Sequence, residues 1–390
     1  MSILANQIVD TLRQVWQPHE GQFIPLHAPK FFGNEKKYLL DCIDSTYVSS
    51  VGSYVDSFES LLAEFTGSTY AIATVNGTSA LHLSLILAGV LPGDEILMPS
   101  VSFIATANAV SYCGAFPHFV DVEESCLGID PEALDTWLEE ISLITEKGCM
   151  NKNTGRIIRA VIPVHIFGHP CLLDEIISIS HKYNILVIED AAEALGSLYK
   201  GKHVGNASHS ASLSFNGNKI ITTGGGGCVL TNDVNAAKLA KHLSTTAKRS
   251  HPWKYEHDQI GYNYRLPNIN AALGVAQVEQ LEKMIASKRD LYFAYKSSFS
   301  NLTDNEELRL MAEPPSCRSN YWLQSIVLPR NQSEAWNDIL EVTNKMGFMT
   351  RPLWKPLHLQ SPYLECPHAP VPVAESLATQ IINIPSGVRE

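Results

Sequence analysis

No cysteine pair with metal-type or redox-type spacing occurs in this 390-residue chain. Its eight cysteines, at 42, 113, 126, 149, 171, 228, 317 and 366, form no CxxC and read as scattered reduced thiols rather than a disulfide framework or a zinc site. The fourteen histidines include no HExxH, so no metal is expected. No stretch approaches the roughly 20 apolar residues that a membrane-spanning helix needs. The first ten residues lack both the basic stretch and the apolar core of an export signal. A cytoplasmic protein without membrane contact is expected. Positive charge is also short: 29 Lys and Arg against 40 Asp and Glu give a formal net charge of −11. That balance argues against a nonspecific nucleic-acid surface. It leaves room for a small phosphorylated ligand, because a few local donors outweigh a distant negative average. Internal repeats and low-complexity tracts are missing too.

What is present is ordinary for a globular chain: 45% hydrophobic and 18% charged residues, long enough for a large core and two domains. Ile3, Ile8, Leu12 and Trp16 mark one face of an amphipathic helix that Pro18 and Gly21 end. Helical patterns follow at 33–48 and 56–66. From residue 70 strands and helices alternate. Strands are expected at 70–75, 95–98, 115–122, 158–166 and 185–189, with helices at 80–88, 104–113 and 172–183. This alternation predicts an α/β fold, a largely parallel sheet with helices on both faces. Beyond Pro267, the residues Leu273, Ala276, Leu281, Met284, Leu291 and Tyr295 predict a long helix. A strand at 321–328, a helix at 334–346 capped by Ser333, and a strand at 348–352 complete a second unit. Pro362–Pro372 reads as a loop or arm. The expected division is an N-terminal helix and arm at 1–32, a large domain at 33–268 and a smaller α+β domain at 269–390.

Three short segments carry chemistry. Asn76-Gly77-Thr78-Ser79 opens a helix straight after a strand, where free N–H groups and hydroxyls favour an anion. A capped helix start alone is commonplace. Glu189-Asp190-Ala191-Ala192-Glu193 places Asp190 at a strand's carboxyl end, where open α/β sheets bind ligands. Small alanines beside it leave space for a flat ring, and a carboxylate there can hold a pyridinium nitrogen. Lys219 precedes four glycines, 224–227. This is the reverse of a P-loop, whose lysine follows its glycines. A lysine amine can form a Schiff base with a carbonyl cofactor. Each segment alone has a bland explanation: a cap, a strand-end Asp, a solvated loop lysine. Their order and their shared strand-end context make the combination specific.

With Gly52–Glu59, Asn76–Leu81, Pro92–Ser100, Glu189–Ala194, the Lys219 segment and Gly261–Gly274, the chain resembles the DegT/DnrJ/StrS group of pyridoxal-phosphate-dependent sugar aminotransferases. The resemblance runs from about Ile24 to Pro385. It implies a type I aspartate-aminotransferase-like fold, with a mostly parallel mixed sheet in the large domain, and pyridoxal 5'-phosphate as cofactor. It further implies that Lys219 holds the cofactor and shuttles a proton, and that Asp190 binds its ring nitrogen. Gly77, Thr78, Ser79 and Ser214 would hold the phosphate, and Phe103 would stack on the ring. His165 would approach the cofactor face, with Glu193 beside it. Asn263 would reach the phosphate of a neighbouring subunit, which implies a homodimer with shared active sites.

Two positions depart from the pattern. Gly225 stands where the group usually has Glu, and Glu193 where His or Gln is frequent. Dehydratase relatives replace the lysine by His, so Lys219 favours transamination. The stretch Ile24–Tyr38, Asn218 and the unbroken glycines are similar to a subgroup acting on UDP-linked 4-keto-6-deoxy-N-acetylhexosamines with glutamate as amino donor, in bacterial surface-glycan biosynthesis. Arg351 and His358 are the candidate contacts to the nucleotide diphosphate. The alternatives are a GDP-4-keto-6-deoxymannose 4-aminotransferase of perosamine type, a sugar 3-dehydratase or 3-aminotransferase, and a non-catalytic regulatory relative.

Overall fold

The computed structural model describes residues 3–332 and 334–389. Ser333, expected as a helix cap, lies outside them. Seven strands build the main sheet: β1 (Tyr70–Thr74), β2 (Glu95–Pro99), β3 (Phe116–Val120), β4 (Ile158–Val161), β5 (Leu186–Asp190), β6 (Ser210–Ser214) and β7 (Gly227–Thr231). Their spatial order is β1-β7-β6-β5-β4-β2-β3. β7 runs antiparallel to both its neighbours, and the remaining pairings are parallel. The expected α/β fold with a mostly parallel mixed sheet is therefore observed. β7 itself was not legible in the sequence, because glycines at 224–227 read as a loop. The connection 215–226 turns the chain back, and Cys228, Val229 and Leu230 then enter the core with no exposed surface.

Helices cover the sheet as the alternation predicts, with shifted ends. The helix expected at 80–88 starts earlier, as Gly77–Leu87, because Asn76 caps it with its side-chain oxygen on Ser79 N–H at 2.8 Å. The strand expected at 158–166 stops at Val161. Pro163 cannot donate to a ladder, and a 3-10 turn at Ile166–Gly168 follows. The segment expected as loop to Pro372 ends where Pro372 opens the helix Pro372–Leu377.

A second sheet of four short strands, Arg309–Leu310, Gln324–Val327, Ile381–Ile384 and Arg351–Pro352 in that order, forms the smaller unit. The N-terminal helix Ile3–Trp16 belongs to its packing. Leu4, Ile8 and Leu12 share an apolar cluster with Ile326, Ile339, Ile382 and Ile384. At the other boundary, Ala271 and Val275 of the helix Asn268–Val278 pack with Phe58 and Leu62 beside the main sheet. The next helix, Leu281–Ser298, sends Met284 and Ile285 into that cluster and Leu291 and Tyr295 into the small unit's cluster. The helix Leu281–Ser298 thus packs against both clusters. No helix among the described residues is long and apolar enough to cross a membrane.

Candidate active site

The carboxyl ends of the parallel strands and the start of β7 meet one edge of the sheet. Register pairs Thr74 and Ser214 with Gly227, and Ser212 with Asp190. Above that edge, closed on its far side by the small sheet, lies a cleft of about 660 Å³. Gly77, Thr78, Phe103, Asp190, Glu193, Ser214, Lys219 and Arg351, all expected from sequence, line it.

The floor is a cradle of helix-start amides and a hydroxyl. The first N–H groups of Gly77–Leu87 have no acceptor within the helix. Residue 77 must be small: a Cβ there would lie 2.7 Å from Ser214 Cβ and 3.0 Å from Ser214 Oγ. Gly227 presses equally close, with a hypothetical Cβ 2.4 Å from the Asn76 carbonyl. Gly225 differs. A Cβ there would meet only Val75 O, at 3.9 Å, so the backbone accepts a side chain at that point and the sequence leaves the space open.

Asp190 ends β5 with both carboxylate oxygens held. Thr106 Oγ1 donates to Oδ2 at 2.9 Å and Ala192 N–H to Oδ1 at 3.1 Å. Lys219 Nζ lies 3.2 Å from Glu193 Oε1 and 4.0 Å from the centroid of the Trp322 ring. The second Glu193 oxygen accepts Phe167 N–H at 2.9 Å. Burial pushes the Glu193 carboxyl above its ordinary range, and the Lys219 amine only partly offsets that. Phe103 stands in the wall, half exposed, 6.2 Å from Trp354.

Four expected residues lie elsewhere. Along the extended segment after β4, Val164 and Ile166 face the cleft, so His165 between them faces away. His165 Nε2 lies 2.9 Å from Glu189 Oε2, and its Nδ1 accepts Cys171 N–H at 3.1 Å, with no exposed surface. His358 is buried against Ser100 Oγ at 2.7 Å and Glu375 Oε1 at 3.2 Å, tying the small unit to the end of β2 instead of facing the cleft. Ser79 lines a separate shallow cavity with Asn76, Thr78, Tyr112 and Tyr264. Asn263 is exposed and accepts from Arg265 Nη2 at 3.0 Å, outside the cleft wall.

Sequence reasoning missed Thr106, Trp322, Trp354 and His27, which also line the cleft. Thr106 had a weak signal, a hydroxyl three residues after Phe103 in the first turn of the helix Ala105–Tyr112. The tryptophans had none, since they arrive from the small unit. Trp322 is fixed by its Nε1–H on Asn218 O at 2.6 Å, next to the lysine it covers.

Residues 31–389 match the model of the DegT/DnrJ/EryC1/StrS aminotransferase family, and the chain belongs to that family. It is 39% identical over 365 residues to a GDP-perosamine synthase of Escherichia coli O157:H7, covering 94% of this chain and 93% of that protein. It is 35% identical to a GDP-perosamine synthase of Caulobacter vibrioides, covering 93% of each. Among solved structures it resembles a Helicobacter pylori aminotransferase involved in the biosynthesis of pseudoaminic acid, with 25% identity, a TM-score of 0.83, and coverage of 93% of this chain and 94% of that one. The chain is thus an aminotransferase with pyridoxal phosphate as its cofactor and the type I fold. The residues present fit that group: a cleft-facing amine, a hydrogen-bonded carboxylate at a strand end, and an amide cradle that a single Cβ at residue 77 would fill.

Proposed function

We propose that this protein transfers the amino group of L-glutamate to C-4 of a GDP-linked 4-keto-6-deoxy hexose, the perosamine-type reaction. The supporting observation is that relatives 39% and 35% identical over more than nine-tenths of the chain are GDP-perosamine synthases. The UDP-linked acetamido sugar expected from Ile24–Tyr38 rests on a shorter stretch. It becomes the competing arm of the test.

Pyridoxal phosphate, when bound, accepts an amino group, passes it on, and draws electrons from the bond that loses its proton. The chain's own residues do the rest. The Asp190 carboxylate, oriented by Thr106 and Ala192, would hold the ring nitrogen protonated. Gly77 and Thr78 amides with the Ser214 hydroxyl would bind the phosphate, and Ser79 would support them through the Asn76 cap. Phe103 would cover one face of the ring. Lys219 would link to the cofactor and carry the proton between the carbons it exchanges. Glu193 and Trp322 would hold its amine in place between transfers. Arg351, on the small sheet at the cleft wall, would take an anionic group of either substrate. Asn263, exposed in the single chain, fits the expected reach into a second subunit of a homodimer.

The test offers the purified enzyme GDP-, UDP- and dTDP-linked 4-keto-6-deoxy sugars with glutamate, and identifies products by mass and NMR. The expected result is a new amine at C-4 of the GDP-linked sugar with one 2-oxoglutarate formed per turnover. Preferential turnover of a UDP- or dTDP-linked sugar, or an amine at C-3, would reject the proposal.

A further inference from the structure

Residues 24–30 form an arm that crosses from the small unit to the large one, held at several points. Ile24 N–H donates to Gly347 O at 2.8 Å, and Met349 N–H donates to Ile24 O at 2.9 Å. Ser386 N–H reaches Leu26 O at 2.6 Å, and Gln277 Nε2 reaches Lys30 O at 2.9 Å. With the backbone tied on both sides, His27 is held as part of the wall of the cleft that contains Lys219. Both ring nitrogens are buried, and neither has a hydrogen-bond partner in the protein. Native interiors leave few such groups unpaired, and those left call for an explanation.

The neighbourhood narrows what that explanation can be. Lys288 is not the missing partner: its amine donates to the carbonyls of Trp322 and Ser386. Burial, then the charges of Lys288 and Lys219, hold His27 well below the ordinary imidazole range. The ring is therefore neutral, with one N–H donor and one bare acceptor. A carboxylate could use only the donor, and Arg351 in the same cleft offers it a better site. A hydroxyl-bearing ring can use both nitrogens, since each hydroxyl donates and accepts.

We propose that His27 is a specificity-determining residue that hydrogen-bonds a hydroxyl of the acceptor sugar, close to the carbonyl that receives the amine. The inference rests on the proposed acceptor being a nucleotide-linked keto sugar. It explains why the arm carries an imidazole at a point where an apolar side chain would pack without orphaned nitrogens.

The experiment uses the cofactor-loaded enzyme and whichever nucleotide-linked keto sugar the wild type aminates. His27→Leu removes both hydrogen-bonding atoms, and His27→Asn keeps a donor and an acceptor. The kcat/KM for the sugar should fall roughly 10- to 100-fold in His27→Leu, as loss of two neutral hydrogen bonds implies, and recover in part in His27→Asn. Bleaching of the cofactor absorbance by glutamate should stay within about twofold of wild type in both variants. Calorimetric titration with the aminated nucleotide sugar should show the same order of affinity. Undiminished sugar turnover by His27→Leu, or equal losses in the two half-reactions, would overturn the assignment. A wrong acceptor shows in the wild type before any variant is compared, so the two failures are distinct.

Discussion

The amine of Lys219 stands 3.2 Å from the carboxylate of Glu193, a contact between two residues 26 positions apart in sequence. Phe167 N–H fixes the far oxygen of that carboxylate, and the Trp322 ring covers the amine from another side. The lysine amine is thereby held by Glu193 and Trp322, which come from distant parts of the chain.

Replacing that amine tests the core of the functional reading. Lys219→Ala should cut multiple turnover by at least about 10³-fold, the scale of a positioned proton carrier. Borohydride reduction followed by intact-mass measurement should add the cofactor's mass to the wild type and nothing to the variant. A variant that still turns over repeatedly would remove Lys219 from its proposed role.

Glu193 supplies a pH-dependent prediction. Its carboxyl is raised in the folded chain, first by burial, with Lys219 pulling the other way. A carboxyl raised on folding binds its proton more tightly in the native state. Its contribution is therefore full below the unfolded value and is lost as pH rises through the folded one. Glu193→Gln should abolish that loss, so its stability relative to wild type should improve as pH rises above the ordinary carboxylate range in denaturant titrations. Glu193→Ala should instead leave Phe167 N–H unpaired and cost about 1–3 kcal/mol. Both variants should turn over more slowly, because Lys219 loses its charged partner.

Two glycines in the same wall predict opposite outcomes. Gly77→Ala would drive a Cβ to within 2.7 Å of Ser214 Cβ, which sits on a buried strand and yields little. Cofactor affinity should weaken by the equivalent of about 1–3 kcal/mol, the usual scale of overpacking. Gly225→Ala meets only Val75 O at 3.9 Å and should bind the cofactor as wild type does. Fluorescence titration of pyridoxal phosphate into each apo-protein reads both, and equal affinities would contradict the cradle.

Two of the legible segments sit at the end of a strand that the sequence announces, Asn76-Gly77 after β1 and Asp190 at the end of β5. Lys219 lies in the loop between β6 and β7, and its amine with the glycines after it is what marks it. Direction across the sheet was harder. His165 lies in the right segment, but the two-residue period of extended chain turns it toward Glu189 instead of the cleft. His27, Trp322 and Trp354 enter from the arm and the small unit, and no local pattern encodes which loop of a second sheet will close over the first. A continuous apolar face in the helix Leu281–Ser298 does not reveal that its two halves serve two cores.

Arg351 and His358, seven residues apart and read together as nucleotide contacts, should now separate experimentally. Arg351 lies in the cleft wall, exposed, with Nη1 donating to Asn344 Oδ1 at 3.0 Å and Thr350 O at 2.8 Å. Its guanidinium retains donors for an anion, so Arg351→Met should raise the KM of one anionic substrate about tenfold or more with stability within about 1 kcal/mol of wild type. His358 is buried and spends its ring nitrogens on Ser100 and Glu375. His358→Leu leaves the Ser100 hydroxyl without that partner and should cost about 1–3 kcal/mol in denaturant titrations. His358 is not among the residues that line the cleft, so KM for the nucleotide sugar should stay within about twofold. The opposite pattern, a raised KM in His358→Leu with stability intact, would return this histidine to the substrate site and imply that the brace to β2 opens when the nucleotide binds.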